Sequence, residues 1–146
     1  AELGSHDLNG NIKGIVPNSV GFDLSEGPNV DVVIEPGVIP EEHLGKYNIV
    51  VSISSFQFCP YPEQYEKEIL DLLCTDGLLF LTMCSPSCEL GHTTSFSKHE
   101  FTDSFRMTHD ELRELFSDDF EILELYDTEK KHTLSHNDTI LKAKKK

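Results

Sequence analysis

Two residues near the start of the chain could bind a ligand together. Gly4 forms a turn directly after the first predicted strand, and Asp23 ends the second. A glycine lets the backbone pass close to a ligand, and a carboxylate can accept hydrogen bonds from both hydroxyls of a ribose. The spacing of about 20 residues is typical of nucleotide-binding folds. The pattern predicts a nucleotide site but is not specific by itself.

The glycine pattern argues against one class of nucleotide-binding protein. Dinucleotide sites commonly use G-x-G-x-x-G, in which the glycines bring the backbone to the pyrophosphate. This chain has Gly4 and Gly10 but lacks that pattern. A nicotinamide-dependent oxidoreductase is therefore disfavoured.

The irregular stretch from 84 to 105 holds the candidates for acid–base chemistry and metal binding. His92 could act as a general base, since an imidazole with a pKa of about 6.5 suits proton abstraction near neutral pH. The alternative is a loop histidine that hydrogen-bonds only its own backbone. Cys84, Cys88 and His92 are spaced four apart, with His99 nearby. Zinc sites commonly use a close cysteine pair and four ligands. Pro86 disfavours the helix that would align Cys88 with His92. We therefore predict no metal site.

The composition limits the possible partners. The chain has 146 residues, with 26 acidic and 12 basic side chains and a formal net charge of −14. This charge argues against nucleic acid as the main partner. No apolar run approaches the roughly 20 residues of a membrane span, and the start does not resemble a signal peptide. Together with four cysteines that form no disulfide framework, these features predict a cytoplasmic protein that does not bind membranes.

The pattern of apolar residues predicts an α/β fold. Amphipathic helices are predicted at 62–73, with Pro62 in the first turn, and at 108–116, where Thr108 and Glu111 form a capping box. Nearly continuous apolar runs predict strands covered on both faces. The last residues of a first strand, running into the glycine turn, are predicted at 1–4. Further strands are predicted at 19–24, 30–34, 47–53, 78–83, 120–126 and 139–143, and residues 142–146 are predicted as a solvated tail. The result is a three-layer sandwich, mostly parallel with one antiparallel edge strand, whose ligand lies at the carboxyl ends of the strands.

Two segments near the start of the chain resemble those of a known family. The segment E-L-G-S-H-D-L-N-G from Glu2, followed by V-G-F-D-L-S-E-G-P-N-V-D-V-V from Val20, resembles the opening of class I S-adenosylmethionine-dependent methyltransferases. It is closest to the branch whose first motif reads E-x-G-S-x-D-x-N-G. The resemblance continues in order through 47–55, 68–81 and 105–108. It implies a Rossmann-like sheet of order 3-2-1-4-5-7-6, and a single domain over 1–146 that lacks the family's N-terminal segment.

The resemblance implies a role for each matching residue around S-adenosylmethionine. Glu2, Gly4 and Ser5 would line the methionine part of the cofactor. Asp23 would bind the ribose hydroxyls, and Leu24 would pack on the adenine. The further cofactor-binding residues implied in this way are His6, Glu35 (near the adenine amino group), Ser52 and Ser54.

The resemblance also implies where the methyl acceptor would bind. Residues 52–55 would border the transferable methyl, with Ser55 on the substrate side. Asp103 and Arg106 match a family D-x-x-R segment, and they either contact the substrate or pair to hold their loop against the second helix. The loop from Cys84 to Phe105 follows a strand whose carboxyl end faces the ligand, so we expect it to form the acceptor side and to be the most mobile ordered part of the chain.

Departures from the family pattern keep a second function open. Asn48 stands where the family usually has Asp, 55–58 replaces a common Leu-Glu-His segment, and 74–77 replaces a Lys-Pro-Gly-Gly-like turn. The sequence therefore predicts a methyltransferase, with a non-catalytic binding or scaffold domain as the alternative. The acceptor could be a small molecule, a sugar or lipid intermediate, or a protein side chain.

Overall fold

The computed structural model describes residues 1–6, 12–86, 106–129 and 137–146. Within these residues, seven strands and two α-helices surround one core. The strands are β1 (Glu2–Leu3), β2 (Gly21–Asp23), β3 (Val32–Val33), β4 (Tyr47–Ile53), β5 (Leu73–Cys84), β6 (Phe120–Asp127) and β7 (Asp138–Lys145). The helices are α1 (Pro62–Leu72) and α2 (His109–Phe116), with 3-10 turns at Glu41–His43 and Phe56–Phe58.

The strands form a single mixed sheet in the order β3-β2-β1-β4-β5-β7-β6, which confirms the predicted order. The first five strands in this order are parallel to one another. β7 is antiparallel to both β5 and β6, so the reversed strand lies inside the sheet and not at its edge, where the sequence analysis places it. Because β7 is reversed, β6 runs in the same direction as β5, and their carboxyl ends share one edge.

Both helices follow from local sequence signals. α1 begins at Pro62, whose missing N–H costs nothing in a first turn. It ends at Leu72, one residue earlier than predicted, because Leu73 is extended and begins β5. Before α2, the Thr108 side chain accepts a hydrogen bond from the Glu111 backbone, and the Glu111 side chain accepts from the Thr108 backbone, which confirms the predicted capping box.

The core lies between one face of the sheet and the two helices. Alternate residues of β5 and β7, among them Leu79, Leu81 and Leu141, are fully buried against α1 and α2. In the described residues both helices lie on this face, and the second helical layer that the sequence predicts is not among them. On the opposite face Ile49 and Ile53 are 46% and 48% exposed.

We call this opposite surface the open face. Residues that are directly paired across strands point to the same side of a sheet. The pairs Ile49–Leu78, Val51–Phe80 and Tyr126–Ile140 therefore place apolar side chains of four strands on the open face, and Lys142, paired with Phe80, lies over the ring of that residue.

Two predicted loop segments are part of the sheet. The turn that the resemblance implies at 74–77 is an irregularity inside β5, where the pairing with β4 shifts from Tyr47–Leu73 to Ile49–Leu78 and Asp76 has a φ of 62°. The predicted solvated tail at 142–146 is wrong, since most of it belongs to β7. Lys145 Nζ donates hydrogen bonds to the carbonyls of Leu70 and Leu73 at the end of α1, where the helix carries partial negative charge. Among the described residues, no helix is long and apolar enough to cross a bilayer.

Candidate functional site

The carboxyl ends of β1, β2 and β4 lie together because β1 pairs with both other strands. In parallel sheets of this kind, ligands bind at this edge. The residues that the sequence analysis predicts for the cofactor are in or directly after these strands and β3. The topology therefore brings the predicted cofactor residues to one edge of the sheet.

Asp23 ends β2, and its carboxylate is held by the backbone. Oδ2 accepts a hydrogen bond from the His6 N–H at 3.0 Å, and Oδ1 accepts from the N–H groups of Leu24 at 2.8 Å and Ser25 at 3.4 Å. Each carboxylate oxygen can accept more than one hydrogen bond. The carboxylate is therefore fixed in direction, and Oδ2, which has one of these three donors, is able to accept from a further donor such as a ribose hydroxyl.

Gly4 directly follows β1 and needs to be glycine. Its φ is +76°, a conformation that costs other residues free energy. A Cβ at this position would also collide with Cβ and Oγ of Ser55. The sequence analysis expects a side chain at Gly4 to collide with a ligand, whereas the structure shows a collision with the chain itself.

A cluster of three hydroxyls lies directly beneath this turn. Ser52 Oγ and Ser55 Oγ are 3.0 Å apart, and each is 2.9 Å from the hydroxyl of Tyr65 on α1. Ser55 and Tyr65 also donate toward the carbonyl of Leu3, at 3.1 and 3.2 Å. We call Ser52, Ser55 and Tyr65 the hydroxyl cluster.

The structure places Ser52 differently from the prediction and adds Tyr65 to the candidate site. Ser52, expected to border the cofactor, is fully buried inside the cluster. Tyr65 is absent from the predicted site because its helical spacing identifies it only as a core residue. Burial raises the pKa of Tyr65 well above its ordinary value, so the hydroxyl keeps its proton and remains a donor. The residue type is the sequence signal that could have identified Tyr65, because a buried tyrosine hydroxyl usually has a hydrogen-bond partner.

Glu2 and Ser5 are buried on either side of Gly4. Glu2 is 3% exposed, and its Oε2 lies 3.4 Å from the Ile12 backbone nitrogen, which donates to it. Ser5 packs on β2 so closely that a Cβ on Gly21 would come within 2.6 Å of the Ser5 hydroxyl oxygen. In the described part of the chain this buried hydroxyl has no hydrogen-bond partner. An orphaned buried hydroxyl at this edge leaves one polar group for a ligand or a water to satisfy.

Leu24 and Glu35 form the outer rim of the site. Leu24 is 42% exposed, so its side chain is available to a flat apolar ligand. Glu35 is exposed and lies two residues beyond the end of β3, in a turn closed by the Val38 N–H donating to the Glu35 carbonyl. The next glycine, Gly37, donates its N–H to the buried Glu68 of α1 at 2.5 Å, which ties this turn to the helix.

Ser54 stands at the end of β4 in a rarely used conformation. Its φ is +52°, and its N–H donates to both the carbonyl and the hydroxyl of Thr82, at 3.0 and 3.1 Å. Residues held in such conformations occur often at functional sites. Ser54 is exposed and is therefore placed to contact a bound molecule.

A second polar cluster, which the sequence analysis does not predict, lies at the same edge beyond β5. Asp127 at the end of β6 accepts hydrogen bonds from Ser85 Oγ at 2.9 Å and Thr139 Oγ1 at 2.7 Å. His109 Nε2 lies 3.0 Å from the same carboxylate. Burial acts to raise the pKa of Asp127, but the hydrogen bonds from Thr139, His109 and Ser85 outweigh it, and the pKa lies below the ordinary value.

The remaining predicted residues cannot be placed in the site. His92 and Asp103 lie outside the described residues, as do Cys88 and His99 of the zinc alternative. Arg106 is half-buried in the segment that leads into α2. Within the described ranges, no group of three histidine, cysteine or acidic side chains could hold a metal ion.

Solved structures of methyltransferases are similar to this chain over nearly its whole length. A possible histamine N-methyltransferase from Thermotoga maritima has a TM-score of 0.71 at 16% identity, with 99% of this chain and 81% of that chain covered. A methyltransferase from Methanosarcina mazei has the same TM-score at 14% identity, with 99% and 90% covered.

A third similar structure contains ligands. The 1,6-didemethyltoxoflavin-N1-methyltransferase of Burkholderia thailandensis, solved with its substrate and S-adenosylhomocysteine, has a TM-score of 0.72 at 14% identity. The alignment covers 99% of this chain and 69% of that one. No protein-family model and no curated protein sequence matches the chain. The structural likenesses show that the chain has the Rossmann-like fold of class I S-adenosylmethionine-dependent methyltransferases.

Proposed function

We propose that this chain binds S-adenosylmethionine and transfers its methyl group to an acceptor. The observation that carries the proposal is the Asp23 carboxylate, held by the backbone of His6 and Leu24 next to the Gly4 turn. A carboxylate in this position suits a ribose with two free hydroxyls. The fold supports the proposal, since the similar structures include methyltransferases with bound S-adenosylhomocysteine.

In this proposal each part of the cofactor has its own residues. Asp23 accepts from the ribose hydroxyls, and Leu24 packs on the adenine, with Glu35 toward the amino group of the base. The turn at Gly4 and Ser5 lies along the methionine part, where the unsatisfied Ser5 hydroxyl is available as a donor. His6, Glu2 and Ser54 complete the set proposed for the cofactor.

When bound, S-adenosylmethionine would supply a methyl group on a positively charged sulfur: an acceptor atom would bond to the methyl carbon as the carbon–sulfur bond breaks, and S-adenosylhomocysteine would leave. The protein's main task is to bring the acceptor to the methyl in the correct direction. Where the acceptor carries a proton, a base must take it, and we keep His92 as the candidate base. We keep Ser55, Asp103 and Arg106 as the candidates for contact with the acceptor.

Binding experiments test the proposal without knowledge of the acceptor. Titration calorimetry should show that S-adenosylhomocysteine binds more tightly than NAD. Asp23→Ala should weaken this binding by more than tenfold, because each charge-assisted hydrogen bond contributes roughly 1.5–3 kcal/mol. Glu26→Ala removes an exposed acid from the same loop and should leave the affinity unchanged. Equal affinity of the Asp23→Ala variant would refute the ribose assignment.

One observation favours the alternative, a binding domain without catalysis. Directly after β4, Phe56 and Gln57 are buried, and the Gln57 Oε1 accepts from the Cys84 N–H at 2.7 Å. No residue from 54 to 58 has an ionisable side chain that could assist a reaction. Tight binding of S-adenosylhomocysteine, with no methyl transfer to any of a panel of amines, phenols and thiols, would support this alternative.

A further inference from the structure

The hydroxyl cluster joins two strands where their backbone pairing stops. β1 and β4 pair at Glu2 and Val51. One residue further along β1, the Leu3 carbonyl faces the hydroxyls of Ser55 and Tyr65 at 3.1 and 3.2 Å. These side chains belong to parts of the chain more than 50 residues away from Leu3. The Leu3–Gly4 peptide is therefore held from two sides: its N–H donates to the Phe22 carbonyl of β2 at 2.9 Å, and its carbonyl is held by side chains and not by β4.

Counting contacts shows how Tyr65 is connected within the cluster. Five oxygen–oxygen contacts of 2.9–3.2 Å join the three hydroxyls and the Leu3 carbonyl, and Tyr65 takes part in three of them. Without the Tyr65 hydroxyl, the Leu3 carbonyl keeps Ser55 as its side-chain donor among the described residues and loses one of the two contacts that fix its direction. Tyr65 contacts every other member, and its ring packs on Phe56 at 5.3 Å between centroids.

We propose that Tyr65 is a positioning residue that holds the Gly4 turn in the shape that binds the amino-acid part of the cofactor. The inference rests on the proposed function. Tyr65 is buried and touches no ligand itself, and it acts through the Leu3 carbonyl on the backbone of the turn. The nucleoside part binds to Asp23 and Leu24. The Asp23 carboxylate accepts from the N–H groups of Leu24 and His6, and neither of these hydrogen bonds involves the hydroxyl cluster.

The test compares two ligands that differ only beyond the sulfur. S-adenosylhomocysteine carries the amino-acid part, and 5′-methylthioadenosine lacks it. Calorimetry on Tyr65→Phe should show roughly tenfold weaker binding of S-adenosylhomocysteine, which corresponds to about 1.4 kcal/mol. Binding of 5′-methylthioadenosine should stay within about twofold of the unmodified protein. Tyr61→Phe, which removes an exposed hydroxyl four residues away, is the control and should change neither affinity.

The comparison separates this inference from a general loss of structure. If Tyr65→Phe weakens both ligands equally, or neither, the positioning role is refuted. If the unmodified protein fails to bind S-adenosylhomocysteine, the proposed function itself fails. Should Tyr65→Phe not fold, as judged by circular dichroism, Ser52→Ala removes the Ser52 contacts to Tyr65 and Ser55, and the same two outcomes apply.

Discussion

Replacement of Glu66 by glutamine should stabilise the protein, and the gain should depend on pH. Glu66 lies on α1 and is 9% exposed, and within the described residues its Oε1 has no hydrogen-bond partner. Burial, followed by the charges of Asp119 and Asp118, raises the pKa of Glu66 from 4.5 to about 7. The folded protein therefore holds this proton more tightly than the unfolded chain does.

The magnitude follows from the shift in pKa. Because one pKa unit corresponds to about 1.4 kcal/mol, the ionised Glu66 lowers the free energy of unfolding by at most about 3 kcal/mol. Solvent near the exposed Asp118 and Asp119 reduces this value, and we expect about 1–2 kcal/mol. The loss begins as the pH rises above 4.5 and is complete above about 7. Glu66→Gln carries no charge, so its advantage should be absent at pH 4.5 and largest at pH 8.

Urea unfolding followed by circular dichroism between pH 4.5 and 8 measures this difference. Glu114→Gln removes an exposed acid from α2 and serves as the control, with an expected change within about 0.5 kcal/mol at every pH. A Glu66→Gln variant that is no more stable than the unmodified protein at pH 8 would refute the reasoning. A gain of the same size at all pH values would show that packing, and not charge, is responsible.

Two further predictions concern the edge that carries the site. Gly4→Ala should lower the free energy of unfolding by more than about 2 kcal/mol, because the backbone strain at positive φ and the collision with Ser55 add. Gly45 has a similar positive φ with open space around it, so Gly45→Ala is the control and should cost only about 1 kcal/mol. Equal costs of the two substitutions in urea unfolding would disprove the collision. Asp127→Asn should destabilise the protein by about 1–3 kcal/mol at pH 7. The pKa of Asp127 is lower in the folded protein than in the unfolded chain. Its contribution to the free energy of unfolding is therefore present above the unfolded pKa and is lost as the pH falls through the folded pKa. The stabilities of Asp127→Asn and the unmodified protein should become equal in acid. A difference that persists unchanged in acid would contradict this prediction.

The sequence predicts well those elements that depend on local patterns. β4 is found at 47–53 as predicted, and the capping box before α2 is confirmed. β2 and β3 are shorter than their apolar runs, because pairing with neighbours, and not composition, decides how many residues join a sheet. The composition of the chain end predicts lysines that are surrounded by water. In the structure most of them belong to β7, and Lys145 Nζ donates hydrogen bonds to carbonyls at the end of α1.

The site is predictable only in part, for a similar reason. Asp23 and Gly4 stand out by type and spacing, and the structure places them at one edge. The contacts of Tyr65 join residues 10 to 62 positions apart, and no local pattern contains them. The network around Asp127 likewise requires three strands and a helix to meet. The exposure of apolar side chains on the open face among the described residues could not be predicted. A run of apolar residues shows which side chains avoid water, but it does not show which parts of the chain pack against them.

The unequal lengths of the strands have a consequence for how the molecule opens. β1, β2 and β3 contain two or three residues each, whereas β4 to β7 contain seven to twelve. Few backbone hydrogen bonds hold the first group, so their amides should exchange with solvent through local opening, while those of the second group exchange only when the whole sheet unfolds. The residues proposed to bind the nucleotide lie mainly in the first group. A ligand bound there would slow the exchange of this part of the sheet first, so the exchange rates of the β1–β3 amides would report binding before those of any other strand.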